Sequence, residues 1–398
     1  MNIRPAITAL KDEFAGYRRA MHEHPQTAYE ETFASGLVAE KLAAWGISFE
    51  SEIATTGIVA TIEGKKNTSG KRIGLRADMD ALDILETGDK PWISKIPGKM
   101  HGCGHDGHTT MLLGAAKYLQ ETRNFNGTAH LIFQPAEEGH HGAHTMIKEG
   151  LFRKFPCDSV YGLHNWPYMP YGTIAMRAGP MMAAADRFAI VVEGKGGHAA
   201  YPHRGIDPVV VASHIVTALQ TLVSRSTDPT EAAVVSITNF NSGTGAFNVI
   251  PDRAELTGTI RSFDSALRQF LKTRVAEMAR DIAKSFGATA TCHYSEGYDP
   301  TINSPEATQF CADISRNLVG AENVDDDVAL CMGAEDFGAM LLERPGCYIM
   351  MGQGEPNKPE SPHNSGLHTP RYDFNDAIIP LGIEYWVRII EEAMPSQL

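Results

Sequence analysis

Eight consecutive residues constrain this chain more than any others. His101-Gly102-Cys103-Gly104-His105-Asp106-Gly107-His108 gathers three histidines, a cysteine and an aspartate. In an extended segment, residues two apart point the same way, so Cys103 and His105 can reach one ion. Gly102 and Gly104 let the backbone turn tightly beneath them. Asp106 reads as a helix N-cap, and Thr109 to Thr122 reads as a helix with an apolar stripe through Met111, Leu112, Ala115, Ala116 and Leu119. By itself the Cys-x-His pair fits a metal ligand and a buried structural cysteine equally well. Further ligands must come from elsewhere in the chain.

Such candidates recur where strands are expected to end. Gly57 to Glu63 and Arg72 to Arg76 read as strands, the second running into Ala77-Asp78-Met79-Asp80. Thr128 to Gln134 reads as a strand leading into Pro135-Ala136-Glu137-Glu138-Gly139. Ser159 to Leu163 reads as one ending at His164. Open α/β sheets place their sites at the carboxyl ends of strands. Asp78 suits such a site, whereas Asp80 reads more readily as a solvated turn. In the Glu137-Glu138 pair, one carboxylate suits metal ligation and the other suits a general base.

The remaining pattern divides the chain into 1–185, 186–297 and 298–398. Helices are expected over Ile3 to His22 and Thr32 to Trp45 in the first part. Within 186–297, strands at Arg187 to Glu193, Ala232 to Phe240, Ala254 to Ser262 and Ala288 to Tyr294 alternate with helices at Asp207 to Arg225 and Asp264 to Phe286. This βαββαβ order is that of a ferredoxin-like domain inserted into an α/β domain. The last part returns to α/β character: a helix over Ser304 to Val319, a short one opened by Gly333 to Phe337, a strand at Cys347 to Met351, His368 on a loop edge and a closing helix from about Ala377 to Met394.

With 398 residues and a net charge of −13, no block of Lys or Arg stands out. Nucleic acid and membrane surfaces are therefore not expected partners. The N-terminus lacks the apolar core of a signal peptide, and no run is read as a transmembrane segment. Six scattered cysteines suggest reduced thiols and a cytoplasmic home.

Taken together, Arg76 to Leu82, His101 to His108, Pro135 to Gly139, Gly162 to Asn165, Gly194 to Ala200, Asn248 to Pro251, Gly258 to Phe263 and His368 to Pro370 resemble the metal-dependent amidohydrolases of the aminoacylase/carboxypeptidase superfamily, peptidase family M20. The likeness is to the branch that holds hippurate hydrolases and auxin-conjugate hydrolases. It implies a metallopeptidase-like α/β catalytic domain with a ferredoxin-like lid and dimerisation domain, and a homodimer. It also implies two divalent metal ions, zinc or else manganese, cobalt or nickel. Cys103, His105, Glu138, His164 and His368 match the ligand positions, Asp78 an aspartate that orients a ligand, and Glu137 the general base. On the residues alone His198 is a loop histidine. The resemblance makes it an oxyanion donor placed over a neighbouring subunit's site. Arg261, with Asn248 beside it, either forks a substrate carboxylate or makes a surface ion pair. The implied activity is hydrolysis of N-acyl-L-amino acids. Deacetylation of an N-acetyl-diaminopimelate-type compound is the alternative enzyme, and a catalytically silent metal-binding homologue is the alternative outside catalysis.

Overall fold

The computed structural model describes residues 1–396. Their contacts divide into two compact units: residues 1–179, 302–329 and 336 onward form the first, and 180–301 with 330–335 form the second. These divisions fall a few residues outside the expected 186–297. The strand expected from Arg187 begins at Ala184, and the strand expected to end at Tyr294 runs to Tyr298. Residues 330–335 join the second unit because the Cys331 amide donates to the Met181 carbonyl at 2.9 Å.

The first unit opens with α1 (Pro5–Thr8) and α2 (Lys11–Glu23), so the single helix expected over Ile3 to His22 is interrupted around Ala9 and Leu10. Then come α3 (Thr32–Ala44), β1 (Ser48–Ile53), β2 (Gly57–Glu63), β3 (Arg72–Asp78), α4 (His105–Thr122), β4 (Thr128–Gln134), α5 (Gly142–Lys148), β5 (Ser159–Pro170) and the short β6 (Ile174–Ala175). β1 and α5 were not anticipated. The pattern of β1 is mostly exposed, which leaves no apolar alternation to read. Asp106 does not cap α4. The capping position is Gly104, at φ 100°, and Asp106 lies inside the first turn.

The second unit holds β7 (Ala184–Glu193), β8 (Gly197–His198), α6 (Pro208–Thr221), β9 (Ala233–Ser242), β10 (Val249–Ile250), β11 (Arg253–Ser262), α7 (Ser265–Ser285) and β12 (Thr289–Tyr298). Its sheet order is β9-β11-β7-β12, antiparallel throughout, which is the ferredoxin-like arrangement. Burial alternates along β7. Phe188, Ile190 and Val192 meet Val211, Ile215 and Leu219 of α6 and Leu271 and Val275 of α7. Asp207 and Asp264 cap the two helices through their side chains. Contrary to the sequence reading, Pro208–Ser226 is long and apolar enough to pass for a membrane span by composition. Val211, Ala212, Ile215 and Leu219 pack on the sheet, while Val209 and Val210 stay exposed.

The chain returns to the first unit with α8 (Pro305–Val319), β13 (Val324–Asp325), α9 (Phe337–Glu343), β14 (Gly346–Gly354) and α10 (Ile379–Ala393). The large sheet has the order β1-β2-β4-β3-β5-β14-β6-β13. β3, β4, β5 and β14 are parallel neighbours, with Asp78 opposite Gln134 and Met350 opposite His164. That register brings the ends of β3 and β4 and the middle of β5 to one edge. β4 and β14 are buried along their whole length, as buried parallel strands require. Full burial of each large apolar side chain contributes roughly 1.5–3 kcal/mol.

Under the start of α4 lies a buried ionic network. His22 bonds to Asp106 at 2.8 Å and to Glu86 at 2.9 Å. Arg18, fully buried, donates to Asp376 at 2.7 Å and stands 3.6 Å from Asp106. Burial alone would depress His22 and raise Glu86. Their mutual hydrogen bonds and the bond to Asp106 win instead, so the His22 pKa is raised and the Glu86 pKa falls to about 2. A raised histidine stabilises the fold below its unfolded value of about 6.5 and loses that contribution as pH climbs through its folded value. His22→Gln is therefore expected to lower Tm more at about pH 6 than at about pH 9. A gap of equal size at both values would mean that His22 acts by packing and not by charge.

Candidate metal centre

All of the site's expected ligands come together in the first unit, although they lie on four separate segments. The turn before α4 supplies Cys103, and its first residue is His105. Gly104 between them is required twice over. Its φ is left-handed, and a Cβ there would lie 2.2 Å from Asn165 Oδ1 and 2.5 Å from Tyr372 Oη. The loop after β4 supplies Glu137 and Glu138, and β5 supplies His164. His368 sits on a loop at φ 61°, where its amide donates to the Gly102 carbonyl at 2.8 Å.

Cys103 Sγ lies 3.3 Å from His164 Nε2 and 3.3 Å from His368 Nε2. His368 Nε2 is 3.2 Å from Glu138 Oε1, and His105 Nε2 is 4.0 Å from the same oxygen. Five donor groups of metal-binding size result among the described residues, and three of them consist of expected ligands and Glu137: Cys103-His105-His164, Cys103-Glu138-His368 and His105-Glu137-Glu138. Cys103 belongs to two of them and so stands between two positions. His105 Nε2 and Glu138 Oε1 are buried and make no hydrogen bond. Two such atoms facing one another across 4.0 Å, beside a thiol and two more imidazoles, fit a divalent cation and little else. Soft and hard donors are mixed, which suits zinc and also accepts other first-row divalent ions.

The electrostatics agree. Burial, and then Glu138, Glu137 and Asp78, raise the Cys103 thiol well above its ordinary value. Burial would lower His105, but Asp78 and Asp80 outweigh it and push the imidazole up to about 10. Burial and the neighbouring His108 lower His164.

The surrounding contacts differ from expectation in one respect. Asp78 meets the expected ligand His105 as an ion pair, Oδ2 to Nε2 at 3.8 Å, while its hydrogen bonds go elsewhere. It accepts from Arg76 Nη1 at 2.6 Å and lies 2.6 Å from His108 Nδ1. Burial would raise its pKa, but Arg76, His105 and His108 hold it far below the usual carboxylate range. The carboxylate bonded to His105 Nδ1 is Asp80, at 3.1 Å, and its other oxygen accepts from the Glu138 amide at 2.8 Å. Asp80, read as a solvated turn, is buried. His108 and Asn165 also escaped the sequence reading. His108 Nε2 lies 2.7 Å from Asn165 Oδ1. The available signal was the i, i+3 spacing of His105 and His108, which sets both on one face of α4. Upstream of the two glutamates, the Ala136 amide donates to Glu31 at 2.9 Å, which fixes the loop at a residue with φ 56°.

His198, Asn248 and Arg261 belong to the second unit. β8 pairs with β10, His198 opposite Val249, and the Ala199 amide donates to the Asn248 carbonyl at 2.9 Å. His198 and Asn248 thus share one exposed ribbon. Arg261 lies half-buried on β11, with its guanidinium donating to the Ile260 carbonyl at 3.0 Å and to the Thr259 hydroxyl.

Comparison with known proteins yields matches along the whole length. The model of peptidase family M20/M25/M40 matches residues 74–392. A hippurate hydrolase of Campylobacter jejuni is 39% identical over 389 residues, covering 98% of each chain. The IAA-amino acid hydrolase ILR1-like 4 of Arabidopsis thaliana is 39% identical, covering 93% of this chain and 83% of its own. Among solved structures, the YXEP protein of Bacillus subtilis, described as a dinuclear metal binding peptidase from the M20 family, superposes with a TM-score of 0.83 at 30% identity, covering 98% of this chain and 99% of that one. A donor set built for cations at the strand ends and a match over most of the sequence lead to one conclusion: the chain belongs to peptidase family M20/M25/M40.

Proposed function

We propose that this protein hydrolyses the amide bond of N-acyl-L-amino acids, releasing a carboxylic acid and a free amino acid, with two divalent ions held by Cys103, His105, Glu138, His164 and His368. The observation that carries the reading is the pair Glu137-Glu138: both carboxylates lie within reach of one cation beside His105, and Glu137 is the more buried of the two. Bound ions supply Lewis acidity, making water acidic enough to deprotonate near neutral pH and polarising the amide carbonyl. Glu137 takes the proton of the attacking water and passes it to the departing amine. The Asp336 amide, 3.4 Å from Glu137 Oε1, helps to keep that carboxylate in place. Asp80 fixes the tautomer and direction of His105, while Asp78 and Arg76 hold His108 behind it.

We further infer a homodimer formed through the second unit, with His198 and Asn248 serving the partner's site. His198 donates a hydrogen bond to the developing oxyanion, a contact commonly worth about 3 kcal/mol, and Arg261 forks the substrate carboxylate. Supporting this, α6 leaves Val209 and Val210 exposed, and the His198 ribbon carries Phe247 and Val249 into solvent. Six unbridged thiols support a reducing, cytoplasmic setting.

The direct test is metal analysis of the purified protein combined with a panel of N-acyl amino acids. Cleavage of hippurate-like compounds over acetylated diamino acids supports this reading, the reverse order favours the deacetylase, and no turnover with any metal leaves the silent homologue. Within that assay, Glu137→Gln is expected to keep its metal and lose about 10²–10⁴ in kcat, whereas Glu138→Ala also loses metal. Equal metal content and activity in both variants would reverse the assignment.

Ligation shields a thiolate. Cys103 is therefore expected to resist alkylation in the metal-loaded protein and to react after chelation, as read by peptide mass spectrometry. Equal labelling in both forms speaks against it as a ligand.

Action in trans is tested by mixing two inactive variants, His198→Ala and Glu137→Gln. Random exchange makes half the dimers mixed, and each has one intact site of two, so about a quarter of wild-type activity returns. No recovery despite demonstrated exchange would sink the trans arrangement and spare the hydrolase.

A further inference from the structure

The sheet of the second unit has two unlike faces. One is covered by α6 and α7. On the other, Arg187, Arg261, Thr257, Thr259 and His293 line a groove of about 540 Å³, within the size range of small-molecule sites. The strand register makes the two arginines neighbours. Arg187 on β7 stands opposite Thr259 on β11, so Arg261, two residues on, lies diagonally beside it on the same face. Diagonal neighbours in a sheet are roughly 7–8 Å apart, within reach of long side chains.

Neither guanidinium has a carboxylate partner among the described residues. Arg261 is oriented by the Thr259 hydroxyl and the Ile260 carbonyl, which occupy one of its nitrogens and leave the rest of the fork free. Burial lowers its pKa, and the like charge of Arg187 lowers it further, so the two cations sense each other. Arg268 on the covered side is the internal control. It is held by Asp186 at 2.6 Å and Asp299 at 2.7 Å, as an arginine is when its role is structural. The one acid that acts on Arg261 is Asp186, and it is already tied to Arg268. Two adjacent unpaired arginines repel one another, and two anionic groups brought by a ligand would relieve that repulsion.

We propose that Arg187 is a specificity-determining residue: with Arg261 on the α-carboxylate, Arg187 takes a second carboxylate, so the preferred substrates are N-acyl derivatives of aspartate or glutamate. The inference rests on the reading of Arg261 as the holder of the substrate carboxylate. A planar fork discriminates a carboxylate from its amide because the charge-assisted bond has no counterpart in the neutral group.

The test compares kcat/KM for N-benzoylglycine and for the N-benzoyl derivatives of glutamate, glutamine, aspartate and asparagine. The wild type is expected to favour each acid over its amide by about tenfold or more. Arg187→Gln is expected to abolish that preference through KM while N-benzoylglycine stays within about twofold, and Arg187→Lys to restore part of it because the charge returns. Equal loss on all five substrates, or no change in the acid-to-amide ratio, overturns the proposal. Arg261→Ala should depress all five. If it spares them, the reading of Arg261 fails, while the acid-to-amide ratio in Arg187→Gln still decides the role of Arg187. If nothing is hydrolysed, calorimetric binding of N-benzoylglutamate to wild type and Arg187→Gln decides it, equal affinity overturning the groove's role.

Discussion

Uncompensated negative charge at the carboxyl edge of one sheet is the constraint on which the first unit depends. Asp78, Asp80, Glu137 and Glu138 converge there because β3 and β4 are parallel and in register. Carboxylates buried this closely cannot all remain ionised without positive charge nearby. Arg76 and His108 provide it on the inner side, against Asp78. On the outer side, Glu138 faces His105 Nε2 with no hydrogen bond between them. The fold thus neutralises one half of its charge through ion pairs with its own residues, and leaves the other half to a cation. On the proposed reading Cys103 and the imidazoles are the donors, and their protons give way when that cation arrives.

Much of this was legible because short motifs carry strong constraints. The βαββαβ order of the second unit follows from alternation and capping, with Asp207 and Asp264 marking the helix starts. The five positions that the family likeness matches to ligands fall within overlapping sets of donors. What escaped was determined by tertiary context. Asp80 looks like a turn residue until β3 and the loop after β4 are seen to trap it between His105 and the Glu138 amide. Asp106 has the composition of a cap, but the demand for a left-handed residue between Cys103 and His105 gives the capping position to Gly104, and Asp106 turns inward to His22. The break after α1 has no breaker residue at Ala9 or Leu10, so nothing local announces it.

The second unit divides its labour between faces. One face builds a core of alternating Phe188, Ile190 and Val192 against two helices, and this face fixes the strand register. Once the register is set, the opposite face has its side chains placed at no further cost, and they are free to answer to function. That freedom is why Arg187 and Arg261 can stand side by side, while Arg268 behind them is tied to two aspartates.

The contact between Cys103 and His368 spans 265 residues of chain. On the ribosome, that interval lasts roughly 13–53 s. During it, His105, Glu138 and His164 are added in turn, and all wait without the last donor and without the backbone bond from His368 to Gly102 that closes the turn beneath them. The nascent protein therefore passes through a period when its key thiol is made but not yet enclosed. A truncation that removed His368 would leave the other four donors assembled around a turn that nothing closes.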